Sequence, residues 1–79
     1  MGGGGEPSGG AWIMYGSVGD LPMNGVPNSR TDLLNTNGEK LQSRWYGANG
    51  RPTLDRDYRH GGGRHEFPHD HVWSGDIRL

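Results

Sequence analysis

Two Asn-Gly pairs, Asn37-Gly38 and Asn49-Gly50, fall within 14 residues, and each separates two runs of strand type. An Asn-Gly between alternating runs is the strongest short-range hairpin signal, because both residues of the tight turn accept φ > 0. The runs are Ser29 to Asn35, Lys40 to Tyr46 and Pro52 to Arg59. Two such turns predict an antiparallel meander. No apolar period of 3.6 residues is sustained here, so helix is not expected. The fold class that follows is a small α+β or mostly β domain: an antiparallel meander of three to four short strands with a loop-rich N-terminus.

Composition narrows the classes further. Sixteen of the 79 residues are Gly and five are Pro, and only twelve are Leu, Ile, Val or Phe. A multidomain enzyme, a helical bundle and a coiled coil do not fit that balance. No apolar run approaches the ~20 residues that a membrane-spanning helix needs. Residues 1–10 (MGGGGEPSGG) read as a flexible Gly-rich leader and lack the basic-then-apolar pattern of a signal peptide. Residues 11–28 form a loop-rich segment with at most one short strand, Ala11 to Tyr15. Residues 29–73 hold a single small β-rich domain, ending in a short strand over His69 to Trp73. Residues 74–79 are expected to be a loose tail. A net charge of −1 and seven aromatic residues argue against full disorder. The core is nonetheless thin, so the domain is expected to depend on a ligand, a metal or a partner for stability.

Alternation along the strands assigns faces. Leu41, Ser43 and Trp45 share one face of the second run, and Gln42, Arg44 and Tyr46 the other. In the third run Leu54, Arg56 and Tyr58 lie opposite Thr53, Asp55 and Asp57. Leu41, Trp45 and Leu54 are the expected core. Neither run has a purely apolar face, which reserves one surface for polar work or for a partner.

Charge is segregated: residues 39–64 carry Lys40, Arg44, Arg51, Arg56, Arg59 and Arg64 against only three carboxylates. Arg binds phosphate in a forked, bidentate geometry, although the same block also reads as an ordinary solvated face. All four histidines lie in residues 60–71: His60, His65, His69 and His71. Imidazole changes charge near neutral pH and suits general acid–base work. Beside Arg it makes a ribonuclease-like set: one imidazole takes the 2′-OH proton, another group protonates the leaving 5′-oxygen, and Arg stabilises charge on phosphorus. That route uses no cofactor, and it requires RNA because DNA has no 2′-OH. The rival use is a divalent metal such as zinc. With no Cys, its ligands would come from His60, His65, His69 and His71, completed by Asp57, Glu66 or Asp70. A third reading makes these exposed loop histidines, with His71 packed beside Trp73. The chain has no phosphate-cradling GxxxxGK[ST] loop and no motif that activates Ser17, Ser43 or Ser74 as a nucleophile.

Three stretches then carry a resemblance. They are Arg44-Trp45-Tyr46-Gly47-Ala48-Asn49-Gly50-Arg51, Asp55-Arg56-Asp57-Tyr58 with His60-Gly61, and Phe67-Pro68-His69-Asp70-His71-Val72-Trp73. Together they match the pattern R-x-Y-x-x-x-G-R … D-x-D-[YF] … HG … PH-x-H-x-W. The pattern resembles small toxin domains at the C-terminal tips of bacterial polymorphic toxins, of the contact-dependent inhibition, Rhs and LXG kinds, and in particular bacterial toxin type 24. The resemblance covers residues 29–73, and its HG…PHxHxW ending is the specific part. It implies a secreted or delivered effector that acts in the target-cell cytoplasm as a nuclease and is neutralised by a cognate immunity protein. Carried over by position, the candidates are Arg44, Arg51, Asp55, Asp57, His60, His69, His71 and Trp73. The expected roles are acid–base catalysis for His69 and His71, with His60 in reserve, and orientation of a His by Asp57. Arg44, Arg51, Arg56 and Trp73 would bind the RNA substrate. A metal-dependent nuclease is one alternative. The other is a non-enzymatic β-rich binding or structural module, phage or Rhs-like, that presents Trp12, Trp45 and Trp73 to a partner.

Overall fold

A computed structural model describes residues 6–58 and 68–79. The chain forms β1 (Ala11–Tyr15), β2 (Arg30–Leu34), β3 (Lys40–Tyr46), β4 (Pro52–Asp57), β5 (His69–Ser74) and β6 (Ile77–Arg78). They make one six-stranded sheet in the order β1-β2-β3-β4-β5-β6. The pairings β2–β3, β3–β4, β4–β5 and β5–β6 are antiparallel, and β1–β2 is parallel. The described residues contain no helix. The expected β-meander is therefore present, extended by one strand at each end.

The turns close differently from the expectation. Each Asn-Gly sits in a four-residue turn, closed by Gly38 N–H on the Asn35 carbonyl and by Gly50 N–H on the Gly47 carbonyl, both at 2.9 Å. Only the glycines have positive φ, 81° at Gly38 and 77° at Gly50. This is the arrangement in which a turn is followed by a left-handed glycine and a bulge, rather than a two-residue turn with both φ positive. The bulge shows as a register shift at Leu33/Leu34 in one hairpin and at Trp45/Tyr46 in the other. Side-chain acceptors support the turns: Asn35 Oδ1 takes the N–H groups of Asn37 and Glu39, and Asn49 Oδ1 takes that of Arg51.

Because β1 and β2 run parallel, their connection must cross one face of the sheet. Residues 16–29 cross the face of Gln42, Arg44 and Tyr46. The Tyr46 hydroxyl donates to the Pro22 carbonyl at 2.6 Å, and Arg44 Nη1 donates to the Leu21 and Pro22 carbonyls at 3.0 and 3.2 Å. Leu21 of this connection is buried together with Leu33 and Tyr46 of the sheet, and these are the buried apolar residues among the described ones. The expected core of Leu41, Trp45 and Leu54 lies on the opposite face, and all three are only half-buried. Alternation separates the two faces of a strand; the path of the crossover decides which one is covered.

The two ends of the described chain are tied in. Gly9 N–H bonds the Asn28 carbonyl at 2.8 Å, and Arg30 N–H bonds the Gly10 carbonyl at 3.0 Å. At the other end, the expected loose tail of residues 74–79 folds back as β6. Gly75 turns it with φ of 60°, and Leu79 N–H reaches the Val72 carbonyl at 2.9 Å.

Candidate acid–base site

The covered face carries more charge than hydrocarbon. Register places Arg44 opposite Asp55 and Gln42 opposite Asp57 across β3 and β4. Across β4 and β5 it places Asp55 opposite His71 and Asp57 opposite His69. Trp73 lies opposite Arg78 in the last hairpin. Cross-strand partners share a face, so Gln42, Arg44, Asp55, Asp57, His69, His71, Trp73 and Arg78 form one row across four strands.

Its inner half is a buried ion pair. Arg44 Nε and Nη2 bond the two oxygens of Asp55 at 2.7 and 2.9 Å, and Asp55 is 0% exposed. Burial opposes the Arg44 charge, but the hydrogen bond and charge of Asp55 outweigh it, and the guanidinium is held above its ordinary value. Tyr46 is pushed up by burial, with Arg44 opposing. The Trp73 ring lies 5.0 Å from the Arg44 guanidinium as a cation–π lid.

The outer half is open to solvent. Asp57 is held from three sides: Gln42 Nε2 donates to its Oδ1 at 3.0 Å, Arg78 Nη2 donates to its Oδ2, and His71 Nε2 lies 3.4 Å from that same oxygen. The other ring nitrogen of His71, Nδ1, is 2.8 Å from the backbone oxygen of Leu79. In neutral His71 the proton sits on Nδ1 and donates to that oxygen, which leaves Nε2 as the atom that gains a proton. Arg78 Nε also lies 3.6 Å from Asp55 Oδ2, so this one cation bridges both carboxylates.

The structure thus brings Asp57, His69, His71 and Trp73 together, as the sequence suggests. It does not leave Arg44 free for phosphate, because its guanidinium is closed on Asp55 and two carbonyls. Arg56 stands on the opposite face, forked onto Asp70 at 2.7 and 3.0 Å with its guanidinium 5.5 Å from the Trp45 ring. Arg51 precedes β4 and pairs with Asp76 and, at 3.4 Å, with Asn24. Asp70, put forward as a metal ligand with His69 and His71, points away from them because adjacent strand residues alternate. His60, His65 and Glu66 lie outside the described residues. Among the described residues, no three potential ligands converge on a metal position. Of the three tryptophans offered as a presenting surface, Trp12 is exposed, whereas Trp45 and Trp73 are half-buried against Arg56 and Arg44.

Sequence reasoning missed Arg78, which supplies the cation beside Asp57. The Ser74-Gly75-Asp76 turn between Val72-Trp73 and Ile77 was the available signal for a returning strand. Comparison with protein-family models, with characterised proteins and with solved structures returns no match.

Proposed function

We propose that the chain is an RNA-cleaving domain of the bacterial polymorphic-toxin kind that uses His71 as its proton-transfer group, without a metal. The observation that supports it is the seating of His71. One ring nitrogen is fixed on Leu79, and the other faces Asp57 beside the Arg78 guanidinium. In this reading His71 takes the 2′-OH proton, and the 2′-oxygen forms a bond to phosphorus. The bond from phosphorus to the 5′-oxygen breaks, and His69, on the same strand face, protonates the leaving oxygen. Arg78 is shared with Asp57 and Asp55 but, unlike the buried Arg44, is exposed, and it balances charge that develops on the phosphoryl oxygens. The Leu79 oxygen orients the ring through Nδ1, and Asp57, beside Nε2, stabilises the imidazolium once that nitrogen has taken the proton. Neutralisation by an immunity protein and delivery to a target-cell cytoplasm belong to the same reading.

The test is incubation of the purified chain with total RNA in EDTA, alongside His71→Ala and Asp57→Asn. The expected result is cleavage leaving 2′,3′-cyclic phosphate ends, with His71→Ala slower by about 10²–10⁴-fold. Absence of cleavage by the unmodified chain, or an equal rate for His71→Ala, overturns the reading. Cleavage that EDTA abolishes and zinc or manganese restores replaces it with the metal-dependent alternative.

A further inference from the structure

The two edges of the sheet are built differently. One edge ends in β6, which is two residues long and carries Arg78. The other is β1, the five-residue sequence AWIMY, which contains no charge and no Pro. Its register with β2 runs without a bulge. Native sheets protect an open edge with short strands, charges, Pro or bulges, and β1 has none of these devices. It exposes Trp12 by 52%, Ile13 by 64% and Tyr15 by 65%.

The backbone gives the direction of the open hydrogen bonds. The Gly10 carbonyl accepts from Arg30 N–H, and Gly16 N–H donates to the Leu34 carbonyl. Even-numbered residues of this segment therefore direct their polar groups toward β2. By strand alternation, Ala11, Ile13 and Tyr15 direct theirs outward. That leaves three N–H and three C=O groups on a side where no strand of the described residues pairs.

We propose that β1 pairs antiparallel with β1 of a second copy of this chain, about a two-fold axis at Ile13, joining the two sheets into one. Ala11 then faces Tyr15 of the second copy, Trp12 faces Met14, and Ile13 faces Ile13. Those odd-numbered pairs are the hydrogen-bonded pairs of an antiparallel ladder, so every outward group finds a partner. Trp12 and Met14 form the closer, non-bonded pair.

Three features select a second copy over a foreign strand. The side chains are self-complementary: large Tyr15 lies beside small Ala11, and the Trp12 ring meets a flexible thioether. With no charge on the strand, two identical edges approach without repulsion. The exposed parts of Trp12, Ile13 and Tyr15 amount to roughly 350 Å² per copy, taking aromatic side chains at about 150–250 Å². The pairing buries the share that faces the second copy, which places it among the small, weak interfaces below about 1,200 Å². A two-fold pairing also uses each β1 once and stops, with the guarded β6 edges outermost.

The test is sedimentation equilibrium with amide exchange, at concentrations on the order of 100 µM, where a micromolar association is saturated. The expected mass is twice the 8.6 kDa of one chain. The Ala11, Ile13 and Tyr15 amides should exchange at least about tenfold more slowly as concentration rises. Ile13→Lys and Ile13→Pro should each return the mass to one chain, the first by placing two charges at the axis and the second by removing an outward N–H. A single-chain mass with concentration-independent exchange at those three amides overturns the proposal, as does an Ile13→Lys variant of doubled mass. The exchange measurement is made on the unmodified chain, so it decides the matter even where a variant misfolds.

Discussion

Arg44 and Asp55 face each other across β3 and β4 and close two hydrogen bonds in the middle of the covered sheet face, at 2.7 and 2.9 Å. Asp55→Asn leaves a charged guanidinium buried against a neutral amide. Breaking a buried pair from one side costs about 3–5 kcal/mol, comparable to all that a small core supplies. Asp55→Asn is therefore expected to be mostly unfolded at 25 °C by tryptophan fluorescence. The double variant Arg44→Met/Asp55→Leu, which replaces both charges with hydrocarbon, is expected to be more stable than either single variant in urea. A loss below about 1 kcal/mol for Asp55→Asn would contradict the role given to this pair.

The glycines of the two Asn-Gly turns make a matched comparison. Gly38 and Gly50 both have positive φ, so a side chain at either position is strained by about 1–2 kcal/mol. A Cβ at Gly38 meets open space, whereas a Cβ at Gly50 lies 2.8 Å from the Gly25 carbonyl oxygen. That carbonyl belongs to the crossover segment, which is pinned by the Gly25 N–H bond to the Gly50 carbonyl at 2.8 Å. Gly50→Ala is expected to lower Tm by several degrees more than Gly38→Ala. Equal shifts would mean that the crossover yields without cost.

On the open face, Asp70 is held below its ordinary value of 3.8 chiefly by its hydrogen bond from Arg56, with the Arg56 charge adding to it. A carboxylate depressed in the folded state contributes stability above its unfolded value, and that contribution is lost as pH falls through the folded one. The Asp70 carboxyl carbon, followed by NMR, is expected to titrate late in acid. Arg56→Gln should shift its midpoint upward. An unchanged midpoint would show that the fork is not formed in solution.

Much of the sheet is legible in the sequence because its hairpins are local. A turn centred on Asn49-Gly50 already places Arg44 opposite Asp55, and one centred on Asn37-Gly38 places Leu33 opposite Gln42; both pairings are present. The bulges shift only the residues next to the turns. Two things were not legible. The first is the covered face, which depends on a 14-residue connection of turns whose path leaves no periodic trace. The second is the outer half of the acid–base row. Asp57 and His71 meet through the β4–β5 register, and no turn signal in the intervening sequence sets that register. Arg78 arrives on a two-residue strand, too short for any alternation to show. The arginines misled for a related reason. A forked guanidinium recognises Asp as well as phosphate, and a turn that places Asp55 opposite Arg44 does not say that the two close on each other beneath the crossover.

The role of β6 follows from what it touches. Arg78 joins Asp55 and Asp57, the backbone oxygen of Leu79 seats His71, and Asp76 pairs with Arg51. A loose tail contributes nothing to stability, so removal of residues 75–79 separates the two descriptions. The truncated chain loses a largely solvent-exposed ion pair with Asp57, worth about 0.2–1 kcal/mol. In a domain of this length that corresponds to a fall in Tm of roughly 1–8 °C. Arg78→Ala is expected to give most of the fall while leaving the Leu79 contact in place. The His71 ring nitrogens, read by NMR, distinguish the two changes. The Nδ1–H tautomer should persist in Arg78→Ala and give way to a mixture in the truncated chain, where Nδ1 has no fixed acceptor. A truncated chain with unchanged Tm and unchanged His71 resonances would return residues 75–79 to the status of a loose tail and remove Arg78 from the site.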